Sequence, residues 1–168
     1  MTSDQAQESR YAPGVERVYR NDQIEVTWEP RRCIHFQACI RGSLAAFNPH
    51  RRPWIDIDAE PPERIAEIVA RCPTGALHAL WPDGRPAESP REPASIVPTL
   101  DGPLFFRGRV QILDREGNVV REDTRVALCR CGQSQNKPFC DDSHYRTGFE
   151  SNDPDFGQEP DDPDTPVR

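Results

Sequence analysis

The sequence predicts an α+β chain of two small units, an α/β unit followed by a β-rich one. Three observations carry this. Strand-like alternation occurs in both halves, but only the first half holds a run with helical period: Ile65, Ile68, Val69 and Cys72, at i, i+3, i+4 and i+7. A proline-rich stretch from Asp83 to Pro103 lies between the halves. The six cysteines divide three and three on either side of it. With 168 residues, 35% hydrophobic content and 18 prolines, the chain suffices for one ordinary domain or two small ones with modest cores. Small units short of apolar core fit organisation by metal.

Residues 1–17 read as a flexible N-terminus and residues 18–82 as the first unit. Ile24–Trp28 alternates apolar and polar residues with β-branched members, which predicts a strand ended by Pro30 and two arginines. The run RRCIHFQACIRGSLAAF then places Cys33 and Cys39 in a loop with a short helix. Pro53–Ile57 predicts a second strand. Pro61 and Pro62 suit a helix start, and the helical period brings the Cys72 thiol to the core-facing side. Pro73 stops the helix, and Leu77–Trp81 predicts a closing strand. Trp28, Trp54 and Trp81 each border a predicted strand and read as core packing. His50 and His78 read as ordinary surface or strand residues.

This order resembles a bacterial-type ferredoxin domain over about Val18 to Pro82. The usual cluster run is C-x2-C-x2-C-x3-C-P. Here Phe36 stands at the second position and Ser43 at the fourth, so Cys33 and Cys39 remain locally. Cys72, in a Cys-Pro-Thr-Gly-Ala-Leu run, looks like the remote ligand of the closing ferredoxin motif. The whole is similar to the divergent single-cluster ferredoxins of bacteria, which implies Cys33, Cys39 and Cys72 as cluster ligands. Three thiolates suit a 3Fe–4S cluster with one corner vacant. Alternatively, a non-cysteine group caps a 4Fe–4S cluster. His35 is the nearest such group, although it lies one residue before the expected position.

Residues 83–94 read as a Pro-rich, semi-extended linker. At ~3.1 Å per residue it could span roughly 30 Å, so the two units can sit close together or well apart. Residues 95–149 read as the second unit. Ser95–Thr99 predicts a short strand. Leu104–Leu113 alternates, with Leu104, Phe106, Val110 and Ile112 on one face and Arg107, Arg109 and Gln111 on the other. Asp114–Asn118 is a hairpin turn containing Gly117, and Arg125–Leu128 returns into Cys129.

From Cys129 to His144 the chain reads CRCGQSQNKPFCDDSH. Gly132, Ser134 and Pro138 are turn residues, so soft ligands converging on a metal would supply the organisation that a core cannot. Three Cys and one His is also a zinc set, but zinc sites separate paired cysteines by two to four residues, and this pair is separated by one. An even number of cysteines also permits disulfides, although no secretory signal is evident. The spacing resembles the CDGSH iron–sulfur family, C-x-C-x2-(S/T)-x3-P-x-C-D-G-(S/A/T)-H. The one departure is Asp142, where the family has Gly. The resemblance implies a 2Fe–2S cluster held by Cys129, Cys131, Cys140 and His144. It extends over about Ser95 to Phe149, so the expected fold is a small ferredoxin-like α/β domain followed by a small β-rich CDGSH-type domain.

The net charge is −7, and most of it sits in residues 150–168, where seven acidic residues face one Arg. That Pro/Asp/Glu-rich segment reads as a disordered tail. No basic stripe interleaved with aromatics suggests nucleic acid. No apolar run marks a signal peptide or membrane span, so a cytoplasmic protein with reduced thiols is expected. Arg occurs twenty times and Lys once, at Lys137 inside the second cysteine loop. No triad, phosphate loop or dinucleotide fingerprint stands out. The expected role is one-electron transfer between a reductase and an acceptor. The alternatives are a cluster donor or redox sensor acting through the His-ligated centre, or a metal-stapled interaction module. The CDGSH resemblance also implies a homodimer through the β-portion.

Overall fold

The structure is a computed structural model and describes residues 16–152. The expected flexible start and acidic tail therefore lie outside the described residues, save for a few positions at their inner ends. One of these corrects the first boundary: Arg17 is already in a strand.

β1 (Arg17–Arg20) and β2 (Glu25–Trp28) form a hairpin, and β3 (Leu77–Leu80) lies antiparallel on the other side of β2. Asn21 holds the turn, its side-chain oxygen accepting from the backbone N–H groups of Gln23 and Ile24 at 2.9 Å each. β1 was not legible because RVYR lacks a buried face; it is a half-buried edge strand. Pro30–Arg32 makes one 3₁₀ turn into the first cysteine loop. α1 (Ala38–Gly42) and α2 (Pro62–Ala70) follow. The helix forecast after Pro61 holds: Ile65, Ile68 and Val69 are buried against Ile24, Val26, Phe47, Ile55 and Leu77. Each such side chain contributes about 1.5–3 kcal/mol by leaving water. α1 rests on α2 so closely that a Cβ on Gly42 would lie 2.8 Å from Ile68 Cγ2.

Pro53–Ile57 is not a strand. Ile55 makes a single bridge to Phe47, and Asp56 N–H donates to Ala46 at 2.8 Å. Ile55 and Ile57 are buried nonetheless. The alternation reported which side chains face the core, not the presence of a ladder.

The second sheet runs β4 (Ser95–Pro98), β5 (Leu104–Leu113), β6 (Val119–Leu128), all antiparallel. Asp114 closes the β5–β6 turn, accepting from the N–H groups of Glu116 and Asn118. α3 (Ser143–Thr147) ends the described fold. The face assignment in β5 is reversed in its first half: Phe105 and Arg107 are the buried residues, and Phe106 is half-exposed. A register shift between Arg107 and Val110 separates the halves. Gly108 sits there with φ +130°, and a Cβ on it would meet Ala94 at 2.6 Å. Simple period-two reading fails across a bulge.

The segment read as a linker folds back on the first sheet. Ala87 N–H donates to Ala79 and Trp81 N–H to Arg85, both at 2.9 Å. Glu88 then enters a buried ionic cluster that joins the units. Arg32 meets Asp123 at 2.7 Å. Arg121 pairs with Glu29 and with Asp123. Arg125 meets Glu88 at 2.8 Å. His78, expected to be an ordinary residue, stands between the two carboxylates, 3.2 Å from Asp123 and 3.4 Å from Glu88. These carboxylates work against burial to hold its pKa up.

Candidate metal centres

The first centre is assembled from three separate stretches. Cys33 follows the 3₁₀ turn, Cys39 lies in α1, and Cys72 lies just beyond α2. All three line one cavity, together with Trp28, Phe36 and Trp54. Burial pushes the Cys33 thiol up, against the His35 backbone N–H and the Trp28 indole on its other side. Cys39 is pushed up to about 12 by burial and then by the charges of Cys72 and Cys33. Burial also acts to raise Cys72, but the Arg125 guanidinium, the Thr74 hydroxyl and backbone N–H groups outweigh it and hold that thiol low.

Three half-buried thiols lining one cavity, two of them raised by burial and by the neighbouring thiols, fit the donor set of a soft, positively charged metal group. The indole nitrogens of Trp28 and Trp54 supply a second test. Both belong to residues lining this cavity: the Trp28 indole faces the Cys33 thiol, and the Trp54 indole is buried without a hydrogen-bond partner. A metal–sulfide group offers sulfur acceptors to such donors, so the residues present fit it. The two rings pack edge to face with centroids 4.7 Å apart, so the core-packing expectation for them was correct but incomplete.

His35 does not join this set. Its side chain is 83% exposed and points to the other centre, with Nδ1 3.9 Å from Asp142. Phe36 borders the cavity as the forecast for a lost ligand position implies, but its ring also packs on Phe105, centroids 5.7 Å apart. Ile34 and Phe36 thus contribute to the small core that contains Phe105 and Cys140.

The second centre is local. β6 runs directly into Cys129, whose N–H donates to Pro138 while Cys140 N–H donates to Ala127, both at 2.8 Å. The returning loop therefore extends the sheet and sets Cys140 beside the strand end. Ser134 Oγ donates to Phe139 at 2.7 Å and accepts from Asn136 N–H. Asp141 accepts from the N–H groups of Gln135 and Ser143 and opens α3. Cys129 and Cys131 sulfurs lie 3.8 Å apart. Cys140 Sγ lies 3.5 Å from His144 Nδ1. The structure thus brings two pairs of the motif's side chains together. Cys140 is pushed up to about 11 by burial and by Asp142, Cys129 and Asp141, with the Asp142 backbone N–H opposing.

Asp142 takes φ +66°, the left-handed region in which the motif's Gly is free of strain. Its Oδ1 is buried without a hydrogen-bond partner, and burial raises its pKa. Ligand atoms of Cys140, Asp142 and His144 lie within 4.8 Å of one another. Its place between Cys140 and His144 in the sequence already puts its charge near that centre; the fold adds that Oδ1 is buried and unpartnered there.

Fold and donor chemistry define an iron–sulfur protein of two cluster-binding units. Residues 19–81 match the family of divergent 4Fe-4S mono-cluster domains, and residues 101–145 match the iron-binding zinc finger of CDGSH type. The chain is 34% identical over 64 residues to the uncharacterized protein YjdI of Escherichia coli K12, covering 38% of this chain and 84% of that one. The same figures hold for YjdI of E. coli O157:H7. The chain therefore belongs to the divergent 4Fe-4S mono-cluster family, with a CDGSH-type domain following in the same polypeptide. The pair implies a 4Fe–4S cluster in the first domain and a 2Fe–2S cluster in the second. Among the described residues no helix is long and apolar enough to cross a membrane.

Proposed function

We propose that the chain is a cytoplasmic one-electron carrier, taking electrons from a reductase and delivering them to an acceptor protein. When bound, the clusters supply reversible one-electron chemistry. Cys33, Cys39 and Cys72 would hold the first, and Cys129, Cys131, Cys140 and His144 the second. The observation that supports this reading is the shared wall: Ile34 and Phe36, between two first-site cysteines, pack on the core that holds Cys140. The β5–β6 sheet is the face through which two copies would pair.

Phe36 also bears on cluster type. It offers no ligand, so the first cluster would have one corner free of cysteine and could lose that iron to give the 3Fe–4S form. Anaerobic redox titration with dithionite, followed by electron paramagnetic resonance, tests the carrier reading. Both signals should appear and vanish reversibly, with oxidised cytochrome c accepting the electrons. Iron transfer to an apo-ferredoxin on each cycle would overturn it in favour of cluster donation.

A further inference from the structure

Arg125 belongs to β6 of the CDGSH-type domain, four residues before Cys129, yet its side chain serves the other domain. It is 2% exposed. Nη1 donates to the carbonyls of Val69, at 2.9 Å, and Cys72. Nη2 donates to the Leu77 carbonyl and to Glu88, both at 2.8 Å. Nε donates to Glu88 at 3.0 Å. A guanidinium has five N–H donors, and all five are used.

Three of those acceptors are backbone carbonyls flanking or carrying the Cys72 turn. The Val69 carbonyl, which already accepts from the Cys72 N–H at 3.0 Å, and the Cys72 carbonyl just beyond α2 are thereby tied to one guanidinium. Arg32 completes the enclosure, donating to the Thr74 carbonyl and, at 3.0 Å, to the Arg125 carbonyl. Gly75 fits only as glycine: at φ +64° a Cβ would lie 2.3 Å from the Arg125 carbonyl oxygen. The turn that presents Cys72 is thus gripped by a side chain from a different domain.

We propose that Arg125 is a positioning residue for the first cluster: by fixing the Cys72 turn and placing a positive charge beside it, it controls how firmly that cluster is held and at what potential. The inference rests on Cys33, Cys39 and Cys72 being its ligands. A buried positive charge favours the more negative, reduced state. Glu88 offsets part of it, but two of the five donors face Glu88 and the rest face the turn. A lysine can supply the charge but not the planar five-donor fork.

The test uses the full-length protein with both clusters. In Arg125→Gln, the potential of the first cluster should fall and its iron should pass to a chelator several-fold faster, while the potential of the second cluster stays in place. Arg125→Lys should restore much of the potential but not the retention. If Arg125→Gln fails to fold, as judged by its melting curve, Arg125→Lys alone decides, through the chelation rate. Unchanged potential and unchanged chelation in a folded variant would overturn the proposal. Should the Cys72→Ser variant keep the first-cluster signal of wild type, the ligand reading fails instead.

Discussion

The two cysteine sites are built in opposite ways. The second is a single loop: its four candidate ligands fall within sixteen residues, and the loop is closed by its own backbone bonds to β6. The first gathers Cys33, Cys39 and Cys72 from three separate stretches onto a core of twelve buried residues among those described. The second site has a core of only three buried residues and borrows Ile34 and Phe36 from the first. A local motif needs little fold around it. A dispersed site needs a real core, and here it also needs Arg125 from outside its domain. The dependence between domains is therefore mutual, apolar in one direction and ionic in the other.

The largest test of this contrast is ligand removal. Cys140→Ser should abolish the second cluster and leave the iron of the first, whereas Cys72→Ser should do the reverse. Iron and sulfide analysis with electron paramagnetic resonance reads both. Loss of both clusters from either variant would break the comparison.

The ionic direction can be tested by pH. Glu88 is held at about 2, below its ordinary 4.5, by His78, Arg125 and Thr124 acting against burial, so its stabilisation is present above about pH 4.5 and lost as pH falls towards 2. Asp123 is depressed in the same sense. His78 is raised above 6.5, so its contribution is complete below that pH and lost as pH rises through the folded value. Melting temperature should therefore peak between about pH 4.5 and 6.5. His78→Gln should lower the peak and flatten the alkaline side. An unchanged alkaline slope would show that His78 is not the titrating group.

A finer probe concerns the Trp28 indole that faces the Cys33 thiol. If Trp28 Nε1 donates to a sulfur of the first cluster, Trp28→Phe should lower that potential. A net loss of about 1 kcal/mol corresponds to ~40 mV for one electron. The second cluster should not move. A shift in the second potential, or none in the first, would sink this assignment.

Much of this was readable before the fold was known, because the signals were local. CRCGQSQNKPFCDDSH announces its own geometry, and Ile65, Ile68 and Val69 announce a helix face. β5 and its turn follow from alternation and Gly117, but of β6 only the last four residues, Arg125–Leu128, were legible; the strand begins at Val119. What escaped was long-range. Arg32, Asp123 and Arg125 read as polar residues, yet each is buried, because their partners lie some ninety or fifty positions away. The bulge at Gly108 inverted half a strand without leaving a mark in the period. His78 looked ordinary because nothing in its neighbourhood of sequence reveals Glu88 and Asp123 on either side of it. The segment 83–94 looked like a spacer because proline content reports stiffness, not contact. Phe36 looked only like a missing cysteine, although it is also an anchor between domains.

The grip of Arg125 on the Cys72 carbonyl has a consequence for how the molecule is made. The two residues are separated by 53 positions. A ribosome adding ~5–20 residues per second takes about 3–10 s to traverse that interval. β3 is completed early in that interval, and from then on the first domain's sheet is whole while the clamp on its third cysteine does not yet exist. Until β6 arrives, the Val69, Cys72 and Leu77 carbonyls are without the guanidinium that joins them, so the last part of the first domain's turn to be fixed is fixed by the second domain.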